Sequence, residues 1–251
     1  MNQLIMLDKI KFTIAELIYK PNFLRKVEIL KILDNQGIYV LKNFISSERA
    51  DELAYKIDKC FEANPDLVKK ESNGFDERIY GADLFTDFEF VEFNEITEYY
   101  AKKFYFSSKL YSFSLLGRIH SGIGNLGSGS GWHRDSPISH QFKGIVYLTD
   151  VDEANGPFQY IEESHKLINI NKVLGRLKVE STKRRFTDLE VDNLISEGII
   201  PSYKSYLGKK GTLILVNTRG LHRGAPITNG SRTAITRYFS TKSFKDDFFK
   251  K

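Results

Sequence analysis

Two histidines and an aspartate stand at spacings that could hold a metal ion. His133 and Asp135 lie in Gly131-Trp132-His133-Arg134-Asp135, and His222 opens His222-Arg223-Gly224-Ala225-Pro226, 87 residues beyond Asp135. Two imidazoles and one carboxylate suit a mononuclear non-haem iron(II) that keeps one coordination face open. Ten residues after His222 comes Arg232, whose planar fork of donors can grip an anionic co-substrate in a way that lysine cannot reproduce. Arg237 is its rival, but it sits an odd number of residues away and so on the opposite face of a regular strand.

Side chains two apart on extended chain project to one side, so His133 and Asp135 can grip one ion without contortion. Any His-x-Asp in a strand meets that condition, and an exposed polar pair is the plain alternative. The weight comes from the surroundings. A glycine-rich run over 122–131 leads into the pair, and apolar strand-like segments follow it and precede His222.

The elements that must position these groups change texture along the chain. Leu7, Ile10, Ile14, Leu17 and Ile18 form a helical stripe ended near Pro21, and Leu24, Val27, Leu30 and Leu33 form a second ended before Gly37. A short buried strand is expected over 38–41. Ser46 or Ser47 then caps a helix with Leu53, Ala54, Ile57, Cys60 and Phe61 on one face. The aromatic-rich stretch 85–106 reads as helical, with Phe88, Phe90, Phe93, Tyr99 and Tyr100 as packing residues.

From Tyr111 onward short strands alternate with turn signals, the pattern of an antiparallel sandwich or barrel. Strands are expected at 112–120, 144–148, 158–161, 212–217 and 233–240. Asn155-Gly156-Pro157 and Asn229-Gly230 mark turns, the latter of a hairpin type that would bring the Arg232 strand back beside His222. Residues 167–210 interrupt the strands with a mixed helical and irregular insertion of the sort that often acts as a lid. The expected organisation is one domain over 1–251, with a mainly helical flank at 1–110 and the β core at 111–241.

Composition narrows the function classes. The 251-residue chain is 41% hydrophobic, enough for a substantial core, and its single cysteine, Cys60, allows no internal disulfide. With no basic leader followed by a long apolar run, and no uncharged stretch near the roughly 20 residues that cross a bilayer, a cytoplasmic protein without a membrane partner is expected. The net charge is +5, and the segment 166–210 alone carries ten basic against five acidic residues. No aromatic residues alternate with these cations in a stacking pattern, so nucleic acid is not expected, while an anionic small substrate is suggested.

The motifs, in order, are Trp132-His133-Arg134-Asp135, Leu148-Thr149-Asp150, Asn155-Gly156-Pro157-Phe158 with Ser164-His165-Lys166, His222-Arg223-Gly224, and Ser231-Arg232-Thr233-Ala234. Over about residues 37–239 this series resembles the phytanoyl-CoA dioxygenase family of iron(II)/2-oxoglutarate oxygenases, and 148–166 is especially similar to ectoine hydroxylase. The resemblance implies a mainly β fold with flanking helices, built on a double-stranded β-helix (jelly-roll, cupin-like) core. It implies His133, Asp135 and His222 as iron ligands and Arg232 as the residue holding the distal carboxylate of 2-oxoglutarate. It points, too, to His120 and Lys143 at the co-substrate, to Arg118 and His140 on the substrate side, and to a structural role for His165. Iron(II), 2-oxoglutarate and O2 would then hydroxylate an unactivated C–H bond of a small metabolite, releasing succinate and CO2.

Two departures stand out. Glu162-Glu163 replaces the family's usual Pro-Gly, and Gly224 stands where relatives often carry a hydroxyl. Asp135 favours hydroxylation over halogenation, because a halogenating relative would have a small residue there. Two other readings remain open at the level of sequence. One is a jelly-roll metal enzyme that does not depend on 2-oxoglutarate; the other is a non-catalytic small-molecule binding protein.

Overall fold

The computed structural model describes residues 28–71, 74–136, 139–244 and Phe249. The first helical stripe, Leu7 to Ile18, lies outside them. The second is represented by α1 (Glu28–Asn35), which buries Leu30 and Leu33. Strand β1 (Ile38–Leu41) follows, then α2 (Ser47–Ala63), whose Ser46 cap accepts a hydrogen bond from the Arg49 amide at 3.2 Å. Such a cap contributes about 1 kcal/mol. At three- and four-residue spacing α2 buries Ala50, Leu53, Ile57 and Phe61. Two strands not foreseen in the sequence come next, β2 (Lys69–Glu71) and β3 (Asp76–Tyr80), ahead of α3 (Ala82–Phe85) and α4 (Val91–Tyr105). The region expected as a mainly helical flank therefore supplies three strands as well as its helices. Phe88, Phe90 and Phe93 are core, as expected, whereas Tyr99 is half exposed and meets Tyr100 edge-on.

The remaining strands are β4 (Tyr111–His120), β5 (Phe142–Tyr147), β6 (Phe158–Tyr160), β7 (Lys204–Tyr206), β8 (Leu213–Asn217), β9 (His222–Gly224) and β10 (Ser231–Ser240). They build two antiparallel sheets. The larger runs β1-β8-β5-β10-β4-β3-β2 and the smaller β7-β6-β9. Alternation along β8 shows the layering: Leu213 and Leu215 join the core beneath the helices, while Ile214 and Val216 join Ile145, Tyr147, Phe158 and Tyr160 between the sheets. This is the sandwich expected of a jelly roll.

Between β6 and β7 lie α5 (Leu167–Leu177) and α6 (Asp188–Ser196), the latter opened by a full capping box on Thr187 and Glu190. Their apolar residues Val173, Val191 and Leu194 pack with Trp132, Phe186 and Leu221 in a third cluster. The stretch set apart as an insertion is thus woven into the fold: it contributes β7 to one edge of the small sheet and a bridge from Arg185 to His133 at the other. A second difference concerns Asn229-Gly230. Only Gly230 there has positive φ, and the turn is not a hairpin, because β9 pairs with β6 in the small sheet whereas β10 pairs with β4 and β5 in the large one. The turn carries the chain from one sheet to the other. Among the described residues no helix is long and apolar enough to cross a membrane.

Candidate metal centre

Backbone pairing brings the distant halves of the motif together. His133 donates its amide to the His222 carbonyl at 2.9 Å and accepts the His222 amide at 3.0 Å, so the two histidines sit opposite each other. On the other side of the same segment the Arg134 amide bonds the Arg184 carbonyl and the Phe186 amide the Trp132 carbonyl. The Asp135 amide is tied to the Thr218 carbonyl at 3.0 Å. The segment is extended but not a regular strand, and these bonds on both edges fix its two side chains to one side.

One nitrogen or oxygen from each of His133, Asp135 and His222 lies within 4.8 Å of the others. Nε2 of His133 is 3.8 Å from Asp135 Oδ1, and Nε2 of His222 is 3.6 Å from Asp135 Oδ2. Each imidazole Nδ1 is 2.9 Å from the carbonyl two residues earlier, Gly131 for His133 and Gly220 for His222. A carbonyl only accepts, so both rings carry the proton on Nδ1 and present a bare Nε2 to the centre, the orientation that metal-binding histidines need. Burial holds both imidazoles below their ordinary pKa, His222 down to about 3, so both are neutral ligands at neutral pH. Asp135 is held ionised: burial opposes its charge, but the Lys143 ammonium beside it outweighs burial. Its Oδ2 is buried without an aligned hydrogen-bond donor, although Lys143 Nζ stands 2.6 Å away as an ion pair. Two neutral nitrogens, one carboxylate and an under-satisfied oxygen fit a divalent cation.

The cavity around these donors has a volume of about 350 Å³. Its floor is the inward face of the large sheet. Lys143, Ile145 and Tyr147 come from β5, and Arg232, Ala234, Thr236 and Tyr238 from β10. Arg232 is buried, its pKa lowered by burial, and among the described residues it has no carboxylate at ion-pair distance. Gly224 gives it room, since a methyl carbon there would come within 2.9 Å of the Arg232 guanidinium and 2.7 Å of Ser128 Cβ. Beside Gly224 the Ser128 hydroxyl accepts from Arg78 at 3.2 Å. Gly129 is needed for a related reason: its φ is +84°, and a Cβ would overlap the His133 ring.

Arg237 takes the other face of β10, where it bonds Asp83, Ser112 and Ser114. The other expected site residues divide. Lys143 lines the cavity, but its partner is Asp135. His120 is exposed and not part of the cavity wall, because its neighbour on the inward face of β4 is Ile119. Arg118 likewise faces away, bonded to Glu77 and Asp58 and lying over Phe61. His140 is held outside the cavity wall by Asn217 and Arg219. His165 is buried against the Asp34 carbonyl and Tyr160. Sequence reasoning missed Arg78, Ser128 and Tyr147. The only signal for Arg78 was the two-residue alternation Asp76-Arg78-Tyr80, which is polar on the cavity side and so looks unlike a core strand.

The geometry is matched by the sequence of the region that builds it. Residues 118–234, which hold all three donors and Arg232, match the sequence model of the phytanoyl-CoA dioxygenase (PhyH) family. Over this stretch, somewhat under half of its length, the chain is similar to that family. No curated protein sequence matches the chain. Among solved structures the fold is shared with the epimerase SnoN, solved with Fe3+, alpha ketoglutarate and nogalamycin RO (TM-score 0.60, 13% identity, covering 88% of this chain and 84% of that one). It is shared also with HygX from Streptomyces hygroscopicus, solved with nickel, 2-oxoglutarate and hygromycin B (TM-score 0.55, 16% identity, 87% and 88%). A third is EctD from S. alaskensis with bound Fe (TM-score 0.58, 18% identity, 84% and 74%). The donor set of His133, Asp135 and His222 fits an iron ion of the kind seen in SnoN and EctD, and the buried Arg232 fits a keto acid of the kind seen in SnoN and HygX.

Proposed function

We propose that the protein is an iron(II)- and 2-oxoglutarate-dependent dioxygenase that hydroxylates an unactivated C–H bond of a small metabolite. The observation that carries this reading is the placing of three convergent metal donors and a buried arginine, without a carboxylate partner among the described residues, in one cavity. His133, Asp135 and His222 hold iron, and Arg232 binds the distal carboxylate of 2-oxoglutarate, a bidentate pairing for which its fork geometry is suited. Together with O2 the bound iron and 2-oxoglutarate supply the oxidant that breaks the C–H bond, releasing succinate and CO2.

The chain's own residues orient and exclude. The Gly131 and Gly220 carbonyls fix the two imidazoles, and Lys143 holds Asp135 ionised by pairing with its second oxygen. Ile145, Phe158, Ala234 and Tyr238 line the cavity with apolar surface that keeps other reductants from the centre. Its volume is at the low end of the ~300–1,000 Å³ typical of small-molecule sites. That favours a small substrate over one as large as an antibiotic. Succinate release with iron(II), 2-oxoglutarate and a metabolite library tests the reading. Turnover that needs both iron and the keto acid supports it. Turnover without the keto acid points to a different metal enzyme, and metal-free ligand binding without turnover to a binding protein.

A further inference from the structure

The charge around the cavity is lopsided. Arg78, Arg134, Lys143, Arg184, Arg185 and Arg232 line it, against Glu71 and Asp135 as the carboxylates. Two cations are neutralised, Arg78 by Asp76 and Glu71 and Lys143 by Asp135. Arg232 is committed to the co-substrate under the reading above. Arg134, Arg184 and Arg185 remain, and among the described residues none has a carboxylate at ion-pair distance.

These three come from the two segments that pair beside the metal donors. Arg184 Nη1 donates to the Asp135 carbonyl at 3.3 Å, and Arg185 Nη1 donates to the carbonyls of Gly129 at 2.6 Å and Ser130 at 3.4 Å. The two side chains thus hold backbone on either side of His133, each through one nitrogen, and among the described residues the rest of each fork makes no hydrogen bond. Both are exposed, at the mouth and not in the floor. Behind them Arg134 is 2% exposed, donates to the Lys183 carbonyl, lies over Phe186 and has a buried Nε without an acceptor. Two exposed guanidiniums without counter-ions among the described residues, with a third buried behind them, raise the local concentration of anions at the mouth and suit a doubly charged oxyanion better than a single carboxylate.

We propose that Arg184 and Arg185 form a recognition site for a dianionic group of the phosphate-monoester class on the substrate, holding it at the cavity mouth. This inference rests on the cavity being the oxygenase site. It makes the substrate a small phosphorylated metabolite whose reacting carbon lies a few bonds from its phosphate, because the arginines bond the backbone of the metal-donor segment itself.

The test is a calorimetric titration of inorganic phosphate, with acetate in a parallel arm, into anaerobic full-length protein loaded with iron(II) and saturating 2-oxoglutarate, so that Arg232 is occupied. The wild type should bind phosphate in preference to acetate. Arg184→Gln/Arg185→Gln should weaken phosphate binding at least tenfold, with Arg184→Lys/Arg185→Lys recovering part of it. Arg176→Gln, in the same basic stretch but paired with Glu197, should bind as the wild type does. An unchanged phosphate affinity in the glutamine variant, or acetate binding as tightly as phosphate, would overturn the proposal. An equal loss in Arg176→Gln would do the same, by showing diffuse surface charge only. If 2-oxoglutarate fails to load into the wild type, the oxygenase reading falls, while the difference between wild type and glutamine variant still reports on the arginine pair.

Discussion

Arg232 stands in the cavity with its charge held against burial and, among the described residues, with no carboxylate at ion-pair distance, so a bound anion is what would relieve it. Arg232→Ala should therefore raise the dissociation constant for 2-oxoglutarate by at least tenfold, in line with the ~1.5–3 kcal/mol of a hydrogen bond to a charged group. Calorimetric titration of the metal-loaded variant measures it. Arg237→Ala should behave in the opposite way, leaving that affinity in place while lowering the unfolding midpoint, because it strips Asp83, Ser112 and Ser114 of a buried partner. Residue spacing alone separated these two arginines, since an odd interval on a strand puts them on opposite faces. The same rule could not place Arg118 or His120. Both were assigned through resemblance, and their even numbers put them on the outward face of β4, beside Glu77 and solvent and away from the cavity.

Elements were legible where their faces differ in polarity. The strand over 38–41 was bounded as observed, the Ser46 cap was visible, and β8 and β10 differ from expectation only at their ends. β3 was not seen, because its cavity face of Asp76, Arg78 and Tyr80 is polar and its pattern resembles a solvated turn. β9 is three residues long, too short for any period to show. Asn229-Gly230 shows a further limit: turn chemistry says that the chain bends, not which sheet it enters next. The glycine run was noticed for its composition, and the structure gives it a physical role. Gly129 adopts positive φ directly against the His133 ring. Gly129→Ala should fold, since the run lies at the surface end of the sandwich, but it should displace that imidazole and weaken metal affinity at least tenfold. Metal-competition titration against a chelator checks this, and an unchanged affinity would mean that the ring is not held by that contact.

At the scale of the molecule, two sheets and three apolar clusters lock the donor segments between β9 and the 184–186 bridge, with His165 as one of the buried polar posts. His165 is held neutral by burial, its pKa lowered from 6.5 to about 3. The unfolded chain takes up a proton below pH 6.5 that the folded chain refuses, so stability is complete above that pH and falls as pH drops toward 3. The slope is about 1.4 kcal/mol per pH unit for one such group. Denaturant unfolding across pH 4–6 should show His165→Gln losing less stability on acidification than the wild type, by about one proton; parallel pH slopes would refute this. The account as a whole depends on one ion held by three side chains that lie far apart in sequence. Anaerobic titration of the purified chain with iron(II), read by native mass spectrometry, is the most direct measurement. It should give one iron per chain, with one 2-oxoglutarate added only after the metal, and no iron in Asp135→Ala or His222→Ala at the same concentration. A wild-type chain that takes up no iron, or variants that bind it as tightly, would contradict the account.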